Sequence, residues 1–346
     1  MARLLYGVMG DANGHVQRAL SIARELKRHD FLFVGGGKVA TLRRTGYPVV
    51  EIPMLATFYR QDRVDIGATV TNAVRVLAGA GATLRQIRTA IRQFRPHMAI
   101  TDYEFFLPLA ARSMGLRCVS IDHQHFLTQC AFPAGGGQAL SRLLFYLPLR
   151  LLYQRADSYL VTSFFKLPMK PGSRGRLFPP VIKEAVQQAR PVQGRHALVY
   201  QTAPTLKRLL PVLRQQPYRC VIYGLGQRPA CGNLVFRAPS SQGFVQDLAT
   251  CRFAITNGGH NVISEALFLG KPVFAIPIHL AYEQYCNALM LRRLGWGDFG
   301  CAQTLSPDML QRFVKRLPAY RRRLVDHNFL GNRRLAACLE ELLTPL

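Results

Sequence analysis

Short apolar runs alternate with helically spaced segments along almost the whole chain, and few folds accept that rhythm. "RLLYGVM" reads as a strand, His15 to Arg28 as a helix, "FLFVGG" as a strand, Lys38 to Gly46 as a helix and "PVVEIP" as a strand. A long amphipathic stretch from Val64 to Phe94 precedes the strand "HMAITD", the helix "FLPLAARSMG" and the strand "RCVSID". Continuous apolar strands joined by helices imply a parallel sheet covered on both faces, with ligands at the carboxyl ends of the strands.

The rhythm breaks once, at the Pro, Gly and Lys-rich piece "FKLPMKPGSRGRLFPP", and then resumes with "HALVYQ", "RCVIYG", "LVFRA", "FAITN" and "PVFAIPI" as strands. A chain of 346 residues suits two such units. The expected architecture is therefore α/β, two doubly wound Rossmann-like domains facing a cleft. The first spans 1–165, a connection 166–180 and the second 181–320. A basic helical segment, 321–346, is able to pack back on the first domain.

Charge narrows the partners. Lys plus Arg number 45 against 19 Asp plus Glu, a formal net charge of +26, which favours phosphorylated ligands or an anionic membrane face. No basic block interleaved with aromatics and no zinc-finger spacing occurs, so specific nucleic-acid binding is not expected. The eight cysteines form no C-x-x-C pair and most stand in apolar segments, as buried thiols do in a reducing compartment. With no apolar run long enough to span a bilayer and no secretory h-region, the reading is cytoplasmic, with room for peripheral attachment to the inner membrane. The apolar, arginine-spaced stretch "ALSRLLFYLPLRLLYQR", Ala139 to Arg155, reads either as a membrane-docking face or as a core helix.

Four strand ends carry chemistry. In "GVMGDANGH", Gly10, Asn13 and Gly14 lead into His15 at a helix start, where a neutral imidazole can serve as a base or simply pack as a cap or core residue. The spacing of the glycines does not match a dinucleotide fingerprint. Asp102 ends "MAITD" and could orient His15 or cap the next helix. Asp122 and His123, in "IDHQH", read as a polar wall of the cleft, and no further metal ligands accompany the His-x-His spacing. Finally "NGGHNVISEAL", Asn257 to Leu267, reads as strand, glycine turn and helix, a place for an anion.

The run from Asn257 to Gly295 resembles the donor-nucleotide motif of GT-B glycosyltransferases, above all the peptidoglycan-precursor GlcNAc transferase and UDP-glucuronosyltransferase-like group. G-G-x-N-x-x-S-E, G-K-P, and an acidic-or-Gln plus Gln pair before N-A occur in order. Upstream, "GFVQDL" is similar to the family's uracil-binding turn, and Gly7 to His15 to its acceptor-domain glycine loop. The resemblance implies that Phe244 and Val245 contact the base, Val245 through its backbone, and that Glu265 holds the ribose. It implies Gly259, His260, Asn261 and Val262 at the diphosphate, and Glu283 and Gln284 at the donor sugar. His15 would be the base with Asp102 as partner, and the acceptor-side loop would comprise Gly10, Asn13, Gly14, Asp122 and His123. One departure stands out: "VYQTAPTLKRLL" places Thr202 and Pro204 where the peptidoglycan enzyme is glycine-rich.

The expected function is inverting, metal-independent transfer of a sugar from a UDP-sugar, a co-substrate rather than a cofactor, to an acceptor hydroxyl on a glycan or lipid-linked, cell-envelope saccharide. A UDP-sugar 2-epimerase-like enzyme and a non-catalytic nucleotide-sugar-binding protein are the alternatives. The first needs additional acid/base carboxylates near the sugar, and no convincing set of them is evident.

Overall fold

The computed structural model describes residues 1–60, 63–133, 138–201 and 209–344. In chain order its strands are β1 (Arg3–Val8), β2 (Asp30–Gly35), β3 (Val49–Glu51), the short β4 (Tyr59–Arg60) and β5 (Arg63–Val64), β6 (Met98–Asp102), β7 (Cys118–Asp122), β8 (Ser158–Thr162) and β9 (Gly175–Phe178). There follow β10 (Ala197–Tyr200), β11 (Cys220–Tyr223), β12 (Leu234–Phe236), β13 (Phe253–Thr256), β14 (Val273–Ala275) and β15 (Gly297–Phe299). Seven parallel strands, ordered β3-β2-β1-β6-β7-β8-β9, make one sheet, and six, ordered β12-β11-β10-β13-β14-β15, make the other. The pair β4 and β5 is a separate antiparallel hairpin.

The burial pattern explains the sheets. Every residue of "MAITD" in β6 and "CVSID" in β7 is buried, as strands covered on both faces require. The helix Asn13–Glu25 turns Val16, Ala19, Leu20 and Ala23 inward. In each sheet the winding reverses once: β1 lies between β2 and β6, and β10 between β11 and β13. Such reversals open a crevice beyond the carboxyl ends of the central strands. The helix after β1 carries His15, β6 ends at Asp102, and the loop after β13 leads through Gly258 and Gly259 into the helix that starts at His260.

Several expected elements differ. The Lys38–Gly46 helix is a tight 3₁₀ segment, Gly37–Thr45, stopped by Gly46 at φ 88°. The long amphipathic stretch divides into the helices Ile66–Ala78, capped by the Asp65 carboxylate on the Ala68 N–H (3.0 Å), and Ala80–Phe94. Part of the expected connection 166–180 is in fact β9, which pairs with β8 as the sheet's edge strand. Its Phe178 packs into the core while Arg176 stays exposed, a half-buried pattern that an edge accepts. The crossing to the second domain therefore begins only at Pro179.

The chain returns at its end. The helix Asn332–Leu343 packs Leu335, Ala336 and Leu339 into the core that holds Val16, Leu20 and Leu26 of the first domain. Leu335 and Leu339 are fully buried, each worth roughly 2 kcal/mol relative to exposure. Glu340 adds ion pairs to Arg28 (2.7 Å) and His29 (2.9 Å). The outgoing and returning segments are fastened side by side: Asn332 takes the Ile182 N–H (2.8 Å) and donates to the Ile182 carbonyl (3.0 Å), and the Gly331 N–H donates to Pro180 (2.7 Å). All eight cysteines are free, and six of them are buried.

Candidate active site

The first helix and the end of β6 build a charged cluster. His15 Nδ1 lies 2.6 Å from Asp102 Oδ1, and Arg18, one helical turn after His15, donates from Nε (2.7 Å) and Nη2 (2.5 Å) to the two oxygens of the same carboxylate. Arg18 is 4% exposed and Asp102 not at all, whereas His15 reaches the surface of the crevice. Burial works against the Arg18 charge, but the Asp102 charge and its hydrogen bonds outweigh it and hold the guanidinium above its ordinary value. Arg18 Nη2 also lies 2.9 Å from His15 Nδ1. A carboxylate only accepts, so Asp102 selects the tautomer of His15 that carries its proton on Nδ1, in which Nε2 is the nitrogen free to accept. Tyr103 follows at φ 56°, a costly conformation for an aromatic residue, and its ring stacks on Tyr153 (4.2 Å) and runs parallel to His15 (6.2 Å).

At the end of β7 a second His–Asp pair forms. Asp122 accepts from Ser120 Oγ (2.6 Å) and from the His125 backbone (2.9 Å), and pairs with His125 Nδ1 (2.6 Å). Burial would raise its carboxyl, but the His125 charge and these bonds hold it well below the usual carboxylate range. The two histidines of "HQH" diverge. His123 lies 2.8 Å from the Thr162 carbonyl and 2.8 Å from Asn287 Oδ1, so it spans the domain junction instead of joining His125.

Across that junction, the loop after β13 passes through Gly258 at φ 91°, where a side chain would meet the Gln284 backbone, and enters the helix His260–Phe268. Gly259 is the residue before its first turn. His260 is buried and its ring stacks on His123 at 3.8 Å. Burial first, then the His123 and Arg18 charges, push its imidazole well below its ordinary value. Asn261 Oδ1 faces Arg18 Nη1 at 3.4 Å, and a methyl at Gly14 would stand 2.5 Å from Asn261 Nδ2. Gly14 is thus bare where the domains touch, Val262 is half-buried beside Asn261, and Asn13 is exposed at the start of its helix. Gly10 lies deeper, its carbonyl accepting the Lys38 N–H (3.0 Å).

The remaining donor-side residues are also engaged. Glu265 is buried and pairs with Lys183 Nζ at 3.0 Å, and Lys183 stands 5.2 Å over the Phe244 ring. Burial raises the Glu265 carboxyl against the pull of Lys183. "GFVQDL" is not a turn: it lies within the helix Ser241–Thr250, because Ser240 Oγ caps the Gly243 N–H (3.1 Å) and starts the helix early. Phe244 and Val245 therefore face inward, Phe244 edge-on to Tyr200 and Tyr223 at 5.3 Å each. Glu283 accepts from Gln124 Nε2 of the first domain (3.0 Å), and Gln284 Oε1 takes the Ile278 N–H (3.0 Å).

The structure brings His15, Asp102, Gly14, Asn261, His260 and His123 to one junction and sets Glu265 with Phe244 around Lys183 in the second domain. Arg18, Lys183, Gln124 and Asn287 were not singled out from sequence. Arg18 alone carried a usable signal, its i+3 spacing from His15 on one helix face. Thr202 and Pro204 lie outside the described residues.

Comparison with known proteins gives the family and the fold. The family model described as glycosyl transferase family 1 matches residues 2–318. A protein of Methanosarcina acetivorans named "uncharacterized glycosyltransferase" is 24% identical over 369 residues, covering 99% of this chain and 92% of that protein. The crystal structure of the glycotransferase of kitacinnamycin is 20% identical with a TM-score of 0.73 and 99% coverage of both chains. That of Acinetobacter baumannii MurG is 14% identical with a TM-score of 0.62, covering 99% of this chain and all (100%) of that one. These likenesses establish the GT-B fold.

Proposed function

The chain belongs to glycosyl transferase family 1, and from that premise we propose that it transfers a sugar, with inversion and without a metal, from a UDP-sugar to an acceptor hydroxyl. The observation that carries this reading is the His15–Asp102–Arg18 cluster set against Asn261, at the start of the helix His260–Phe268. His15 Nε2 takes the acceptor proton as the oxygen attacks the anomeric carbon. Asp102 fixes the tautomer and stabilises the imidazolium that forms, and Arg18 holds Asp102 in place. The helix start opposite receives the departing diphosphate on unpaired N–H groups, so charge is lost from the sugar and gathered at a positive dipole end. Glu283 and Gln284 address the sugar hydroxyls once Gln124 releases Glu283.

The acceptor side is apolar and aromatic, with Tyr103 and Tyr153 stacked beside His15. The helix Ala139–Pro148 and the turn after it expose Leu140, Leu143, Leu147 and Leu151 among Arg142, Arg150 and Arg155. A second outward stripe, Ile66, Val70, Val74 and Leu77, runs along the helix Ile66–Ala78. Among the described residues no helix is long and apolar enough to cross a membrane. These faces suit peripheral docking on an anionic inner-membrane surface that presents a lipid-linked acceptor, in keeping with the +26 charge.

Replacing His15 by Ala and measuring UDP release with acceptor tests the chemistry; unchanged turnover removes His15 as the base. Co-sedimentation with anionic liposomes at low and high salt tests the docking, and no binding at low salt refutes it.

A further inference from the structure

Lys183 belongs to neither crevice by sequence. It follows the crossing from β9, at the start of the short helix Glu184–Gln187, yet its ammonium lies 3.0 Å from Glu265 Oε2 and 5.2 Å over the Phe244 ring. Among the described residues, Glu265 has Lys183 as its side-chain partner, and Oε1 makes no hydrogen bond and is not sealed from solvent. Lys183 in turn spends one of its three N–H donors on Glu265. An open acceptor and two open donors thus stand side by side, with Tyr200 and Phe244 as the aromatic wall.

We propose that Lys183 is a second reader of the donor ribose beside Glu265, which the resemblance already assigns to that ribose, and that the added donor sharpens the selection of ribonucleotide over 2′-deoxyribonucleotide donors. The inference rests on the reading of Glu265 as part of the nucleotide site. An ammonium only donates and a carboxylate only accepts, whereas a hydroxyl does both. Two adjacent hydroxyls can give a proton to Glu265 and take one from Lys183 while the ion pair persists. A 2′-deoxyribose offers one such group and leaves either the carboxylate oxygen or the ammonium without its partner. Hydrogen bonds to charged groups are strong enough for the difference to register as roughly tenfold in affinity.

The test is calorimetric binding of uridine diphosphate and 2′-deoxyuridine diphosphate to the full chain and to Lys183→Met, Lys183→Arg and Glu265→Gln. Wild type is expected to favour the ribonucleotide by roughly tenfold. Lys183→Met should lose that preference mainly by weakening the ribonucleotide, and Lys183→Arg, which keeps the charge and donors, should retain most of it. Circular dichroism of the unliganded variants verifies folding. If Lys183→Met keeps the wild-type ratio while Glu265→Gln weakens uridine diphosphate, the role of Lys183 is refuted and the nucleotide site stands. If wild type binds neither nucleotide, or Glu265→Gln binds both as wild type does, the nucleotide-site reading fails and the proposal falls with it.

Discussion

Two neighbouring strands, β6 and β7, end in the same way, each with an aspartate that pairs at 2.6 Å with a histidine Nδ1, and only one of these histidines reaches the surface of the crevice. Asp102 receives its histidine from another element, the first helix, so the ring projects into the junction with Nε2 open. Asp122 receives His125 from three residues further along its own turn, and the ring is folded into the core against Tyr159, where Nε2 is buried without a partner among the described residues. Under the proposed function the first pair positions a base, while the second holds the turn after β7. The same two side chains, at the same separation, stand in different surroundings because of where the imidazole comes from and what its far nitrogen meets.

The largest expected effect follows from swapping the test between the pairs. His15→Ala should reduce transfer by on the order of 10³-fold, and His125→Ala should leave the folded protein within about threefold of wild type. Equal losses would erase the distinction. Next, Asp102→Asn should cost on the order of 10²-fold in kcat with little change in donor KM, because the amide no longer fixes the His15 tautomer. Arg18→Met should lower unfolding stability by about 3 kcal/mol, since it strips a buried carboxylate of its bidentate partner, and a urea melt reads it directly.

On the other side of the comparison, Asp122→Asn should cost about 2 kcal/mol at neutral pH and spare turnover. The pH dependence has a definite sign. Because the Asp122 carboxyl is depressed in the folded state, its contribution is complete above the unfolded value of about 4 and drains away as pH falls below it. The stability gap between wild type and Asp122→Asn should therefore narrow below about pH 4, and a gap that widens there would contradict the assignment.

What sequence disclosed and what it hid divide along the same physical line. Strand-end residues were legible, since "MAITD" and "SIDHQ" announce a buried strand that surfaces at a carboxylate. The doubly wound order and the glycine turn before His260 were legible for the same reason, because each is a local pattern. Contacts made by the chain passing over itself were not. Nothing in "PPVIKEA" says that Lys183 will meet Glu265, and nothing in "RLFPP" distinguishes an edge strand from a tether. Arg18 shares a helix face with His15 at i+3, but no local pattern says that Asp102 lies beneath it. The early start of the helix Ser241–Thr250 hung on one hydroxyl, that of Ser240.

The paired crossings near Asn332 have a kinematic consequence. A domain tied by one flexible thread can swing and twist in any direction, whereas one joined by two threads knotted together moves as a door does, about a single axis. Here the knot is the side-chain amide of Asn332, bonded to both the N–H and the carbonyl of Ile182, and Lys183 is the next residue along. Lys183, which holds Glu265 of the second domain, therefore stands one residue from the point where the two crossings are tied.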